Sequence, residues 1–114
     1  MPRGKRRSLG KVPLKLTGKG ILEVLKVNSE EVRGFGVKRI GLFGSFATET
    51  NNDSSDIDFL VEFEKGKKTF DSYMNLKFFL EDVFGRKVDL ITQDALRPEV
   101  SEQVAGSTIY AEGV

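Results

Sequence analysis

The chain contains no histidine, no cysteine and no tryptophan. Without cysteine there can be no disulfide, no thiolate zinc site and no thiol nucleophile. Without histidine, Ser-His-Asp hydrolysis, imidazole-ligated metals and imidazole proton shuttles are excluded as well. No apolar run approaches the roughly 20 residues that a membrane-spanning helix needs, and no secretory signal core is visible. Any chemistry must therefore rest on carboxylates, hydroxyls, Lys, Arg, backbone amides or oxygen-bound cations. A length of 114 residues with 39% hydrophobic content supports one modest core. The expectation is a single small, soluble, cytoplasmic domain.

The net charge of +1 hides an asymmetry. Residues 1–20 hold seven basic side chains (Arg3, Lys5, Arg6, Arg7, Lys11, Lys15 and Lys19) and no acid, whereas the rest of the chain carries 11 basic and 17 acidic groups, a balance of −6. The division that follows is a basic, flexible N-terminal tail over residues 1–16 and a folded domain over 17–114. A solvated tail is the plain interpretation. Contact with nucleic acid, or with the acidic face of the body itself, is the functional one.

Along the body, Thr17 is placed to cap a helix over Gly18–Val27, and Ser29 opens a second helical stretch that Gly34 or Gly36 ends. VKRIGLF (Val37–Phe43) is rich in β-formers and runs straight into Gly44-Ser45. Thr48–Ser55 reads as turn or loop, and DIDFLVEF (Asp56–Phe63) as the strongest strand. Phe70–Phe84 reads as the longest helix, opened by Thr69 and closed by Gly85, with Tyr73, Leu76, Leu80, Val83 and Phe84 on its core face. KVDLIT (Lys87–Thr92) is a third strand. Asp94 is placed to cap a last helix from Ala95 or Leu96, and TIYA (Thr108–Ala111) closes as a short strand. The tight connection between the first two strands argues for an antiparallel pair. The fold class is α+β, a small mixed sheet flanked by helices.

Asp56 and Asp58 stand two apart on the expected strand, so both carboxylates face one side and can reach one cation or an adjacent pair. Asp89 repeats the pattern among Val88, Leu90 and Ile91. Singly, each has a plain explanation: an Asp at a strand start is usually a turn or cap residue, and Arg86 or Lys87 could pair with Asp89. Together, three acids in or beside an apolar sheet call for hard divalent cations. Gly44-Ser45, most often a mere turn, can also expose an amide and a hydroxyl to a phosphate.

Gly44-Ser45, ten further residues, Asp56-Ile57-Asp58 and then Asp89 one helix later form a pattern that resembles the nucleotidyltransferase superfamily of the polymerase β palm. More narrowly, it is similar to the minimal nucleotidyltransferases, antitoxin-type partners of HEPN proteins. GVKRIGLFGSFA, SSDIDFLVEF and RKVDLIT carry the likeness, which runs from about Ile21 to Tyr110. The resemblance implies a polymerase β palm-like fold and transfer of a nucleoside monophosphate, most simply AMP from ATP, to a hydroxyl acceptor with release of pyrophosphate. It implies two Mg²⁺ ions, or Mn²⁺ in their place, held by Asp56, Asp58 and Asp89, and phosphate contacts from Gly44 and Ser45. Thr48-Glu49 stands where family members commonly carry Arg-Gly, which removes one phosphate donor and adds a negative charge.

A chain this short lacks a second domain for a large acceptor, so the implied partner is a HEPN-type toxin modified on a tyrosine, with a homodimer as a further assembly. The competing function is a weak or inactive nucleotide-binding antitoxin that acts by contact alone. Met74 and Phe78 fall on the helix side opposite the core residues, which makes Phe78 a candidate for a partner surface.

Overall fold

A computed structural model describes residues 16–52 and 55–114. The expected tail lies outside the described residues except for Leu16, which is only 5% exposed and packs into the core. Thr17, in extended conformation, accepts a hydrogen bond from the Gly20 amide at 3.0 Å and starts α1 (Gly18–Val27), which buries Ile21, Val24 and Leu25. A short α2 (Ser29–Gly34) follows, with Glu30 and Glu31 in its first turn and Val32 in the core. Its chain then turns through Gly36 at φ +90° into β1 (Val37–Phe43).

After β1 come one helical turn, α3 (Ser45–Thr48), then β2 (Ile57–Phe63), α4 (Phe70–Phe84), β3 (Val88–Thr92), a 3₁₀ turn, α5 (Pro98–Ser107) and the two-residue β4 (Ile109–Tyr110). The sheet order is β3-β2-β1-β4. As expected, β1 and β2 are antiparallel, although the connection between them spans residues 44–56 and includes α3; β4 also runs antiparallel to β1, and β3 lies parallel to β2. The sheet is therefore mixed, and the α+β expectation holds.

One face of the sheet makes the core. Ile40 and Leu42 of β1, Ile57, Phe59 and Val61 of β2, and Val88 and Leu90 of β3 all join the buried cluster beneath α1, α2 and α4. Phe59 is fully buried and its ring lies 5.9 Å from that of Phe84; truncating it to Ala would cost about 3–5 kcal/mol. Because side chains alternate along strands, Gly41, Phe43, Asp58, Leu60 and Asp89 belong to the other face.

Several boundaries differ from the expectation. Thr48 is helical, the last residue of α3, so the loop begins one residue later. β2 begins at Ile57, whose register partner is Val88, so Asp56 precedes the strand. Asp94 does not cap the last helix: α5 starts at Pro98, which suits a first helical position because it has no N–H to satisfy, and Asp94 pairs with Lys68 at 2.8 Å. The core face of α4 is also wider than expected. Phe79 is buried there, its ring tilted against that of Phe35 with centres 5.4 Å apart, while Tyr73 and Val83 are only partly buried.

Candidate active site

The site is built where the chain leaves β1 and enters β2 and β3. Phe43, the last residue of β1, is paired with Asp58, and Asp58 is paired with Asp89 on the parallel neighbour. Two carboxylates are thus placed side by side on the face that does not form the core. Gly44 follows Phe43 at φ +77°, ψ −151°, a conformation that L side chains rarely adopt. A Cβ on Gly44 would clash with the Asp58 carboxylate oxygen and stand 3.1 Å from its Cγ. Glycine is needed here both for its torsion angles and for the close approach. Ser45 comes next and begins α3, so the Gly-Ser turn lies directly against Asp58.

α4 sets the position of β3. The Tyr73 hydroxyl donates to the Leu90 carbonyl at 2.5 Å, and the Val88 amide donates to Glu81 at 3.2 Å. Asp89 is held between these two fastenings. Asp56 reaches the same edge from outside the strand: its carboxylate, like that of Asp89, raises the pKa of Asp58. The first cause of that rise is partial burial, which disfavours the charged form, followed by repulsion from Asp89 and then from Asp56. Of the two placements the sequence allows, in or beside the sheet core, the three acids take the second. Asp56 and Asp89 are exposed and Asp58 is half-buried, because the alternation turns Asp58 and Asp89 away from the helices.

Among the described residues, no three carboxylates are gathered into a finished cation cage. The donor set nevertheless suits a hard divalent ion, since it offers only oxygen and Asp58 already carries an electrostatic penalty that a cation would relieve. Thr48 Oγ1 is engaged locally, with the Gly44 and Ser45 carbonyls and with Thr50 Oγ1 at 2.9 Å. Glu49 closes α3 at φ +60°, the left-handed region where glycine is at ease.

Arg86 is the residue whose place sequence reasoning missed. From the sequence it offers only a counter-charge for Asp89. Instead, its Nη1 donates to the Ser55 carbonyl at 2.9 Å, and its guanidinium lies 5.5 Å from the centre of the Phe46 ring. The available signal was its position between the end of a helix and the start of an Asp-bearing strand.

The profile of the nucleotidyltransferase domain matches residues 21–111. A Methanocaldococcus jannaschii protein, MJ0435, provisionally named a protein adenylyltransferase, is 39% identical over 74 residues, 65% of this chain and 78% of its own. The protein adenylyltransferase MntA of Thermococcus cleftensis is 32% identical over 96 residues, 83% of this chain and 96% of its own. A solved structure provisionally described as a minimal nucleotidyltransferase superposes with a TM-score of 0.65 at 36% identity, covering 77% of this chain and 93% of that one. A toxin-antitoxin crystal structure with AMP-PNP shares the fold, with a TM-score of 0.62 at 21% identity over 78% and 73% of the two chains. With the Gly-Ser turn set against an in-register pair of aspartates, the chain belongs to the nucleotidyltransferase domain family. Among the described residues no helix is long and apolar enough to cross a membrane.

Proposed function

We propose that this chain is a protein adenylyltransferase that transfers AMP from ATP to a hydroxyl of a partner protein, a HEPN-type toxin, and releases pyrophosphate. The observation that carries the proposal is the register Phe43–Asp58–Asp89 with Gly44 seated against the Asp58 carboxylate. This arrangement brings a phosphate-accessible turn and a pair of metal-seeking acids to one edge. The relatives named above, MntA and MJ0435, supply the acceptor class.

Asp56 and Asp58 would hold two Mg²⁺ ions, with Mn²⁺ as a substitute, and Asp89 would complete the set. When bound, such ions neutralise phosphate charge and lower the barrier to in-line displacement at the α-phosphorus. The Gly44 amide and the Ser45 hydroxyl hold the phosphates that leave. The acceptor oxygen forms a bond to the α-phosphorus as the α–β bridging bond breaks, and Asp89 takes the acceptor's proton. Ser45 does not act as a nucleophile, because no histidine exists to activate it.

The test is to incubate the chain with ATP, Mg²⁺ and the product of the neighbouring gene, the proposed partner, and to weigh that partner intact. Gain of one adenylyl group on the partner, abolished by Asp58→Asn, is the expected result. A second reading, an antitoxin that neutralises by contact alone, is favoured by Glu49, an acidic residue whose backbone amide closes the turn begun by Ser45. On that reading the partner is neutralised with its mass unchanged.

A further inference from the structure

Asp56 presents a mechanical problem that its two companions do not share. Asp58 and Asp89 are fixed by strand pairing, but Asp56 lies before β2 begins. Among the described residues, the bonds that hold it in place run through its neighbours. On one side the Ile57 amide donates to the Lys87 carbonyl at 3.1 Å, a backbone bond that any residue at 87 could accept. On the other side Ser55 closes a small turn, with its amide on the Asn52 carbonyl at 3.1 Å and its Oγ accepting from the Asn52 amide at 2.8 Å. The carbonyl of Ser55, one bond from the Asp56 amide, accepts from Arg86 Nη1 at 2.9 Å.

We infer that Arg86 is a positioning residue for the metal-binding edge, fastening the approach to Asp56, the α3 turn beside Ser45 and the start of the Asp89 strand to one another. The inference rests on the nucleotidyltransferase reading above and assigns a role that the reading does not contain. Its basis is one side chain that engages two separate segments. The guanidinium is bonded to the Ser55 carbonyl and lies over the ring of Phe46, which is buried and follows Ser45 directly. Arg86 itself precedes Asp89 by three residues, just outside β3. A planar cation can donate in its plane while its face rests on an aromatic ring, whereas a lysine ammonium offers a point charge and no face. Residues that orient a metal's ligands in this way commonly change metal affinity by roughly 10–100-fold when removed.

The test uses the full chain and measures Mn²⁺ binding, by calorimetry or electron paramagnetic resonance, in the presence of an ATP analogue that cannot be cleaved between its α- and β-phosphates. Arg86→Gln should weaken Mn²⁺ binding by roughly 10-fold while the variant still unfolds cooperatively, and Arg86→Lys should recover part of the loss. Phe46→Leu, which removes the ring and leaves the Ser55 bond, should weaken binding in the same direction by less. Unchanged Mn²⁺ affinity in Arg86→Gln overturns the inference. So does an equal loss in Gln and Lys variants accompanied by an equal fall in melting temperature, since that describes general destabilisation. Failure of the unsubstituted chain to bind Mn²⁺ with the analogue would instead refute the nucleotidyltransferase reading, and this inference with it.

Discussion

Replacing Asp58 by Asn should make the metal-free protein more stable while abolishing its activity. Asp58 is half-buried and faces Asp89 across a parallel strand pair, with Asp56 close enough to add to the repulsion. Neighbouring strands stand about 4.8 Å apart, so in-register carboxylates lie on the order of 5–6 Å from each other. At that distance their repulsion is about 3 kcal/mol for an effective dielectric of 20 and below about 1 kcal/mol in bulk water. Asp89 is exposed, so solvent screening keeps the value near the lower end, about 1 kcal/mol. For a domain of this size that is an increase of about 4 °C in melting temperature. Asn keeps the shape that fits against Gly44, so packing does not offset the gain.

The pH dependence follows from the same group. A carboxyl whose folded pKa is raised above its ordinary 3.8 binds its proton more tightly in the folded state. The contribution of Asp58 to the stability of the metal-free protein is therefore greatest below that ordinary value, falls as pH rises from it to the raised one, and is level above. The Asn variant should lose this component of the fall. Adding Mg²⁺ with a non-cleavable ATP analogue should reverse the order, because ligand that binds only the native state stabilises it by mass action and the variant lacks the ligand set. Calorimetric melting with and without metal reads all of this. Destabilisation of metal-free Asp58→Asn, or equal stabilisation of both proteins by metal, would refute the electrostatic argument.

Ser45→Ala should slow transfer by no more than about 10-fold, the worth of one hydrogen bond, and mass spectrometry should find no nucleotide covalently attached to Ser45. Gly44→Ala should lower stability by about 1–3 kcal/mol in chemical denaturation, because the residue takes an unfavourable φ and its methyl group meets the Asp58 carboxylate. Phe78, on α4, is 36% exposed. Phe78→Asp should therefore cost about 1–2 kcal/mol in stability, part of the worth of a fully buried ring, yet leave the domain folded and weaken partner binding in a pull-down or calorimetric titration; unfolding of that variant would return Phe78 to the core.

Local signals carried most of the fold. Thr17, Thr69 and Gly85 mark their helix ends as capping chemistry requires, with both threonine hydroxyls accepting an amide and Gly85 at φ +62°. The run VKRIGLF is β1 to the residue. What was missed depends on partners distant in sequence. Asp56 stands outside β2 because parallel pairing starts with Ile57 and Val88, a choice made by the neighbouring strand rather than by local propensity. Phe79 is buried because Phe35, at the end of α2, comes to meet it, which widens the core stripe of α4 beyond the five residues assigned to it. The sequence leaves open whether the acids lie in or beside the core for a related reason. Flanking apolar residues reveal that a strand is covered, but not that only one of its faces is. Arg86 escaped notice because its bond to Ser55 spans 31 residues and no local pattern foretells it.

The most direct test of the central claim compares ATP labelled at the α-phosphate with ATP labelled at the γ-phosphate, each incubated with the chain, Mg²⁺ and the proposed HEPN-type partner. The account predicts that only the α-label becomes attached to the partner, that the γ-label leaves in pyrophosphate, and that EDTA or Asp58→Asn prevents both. Attachment of the γ-label, or attachment of the α-label that survives EDTA and the Asp58→Asn substitution, would contradict metal-dependent adenylyl transfer by the Asp56, Asp58 and Asp89 edge.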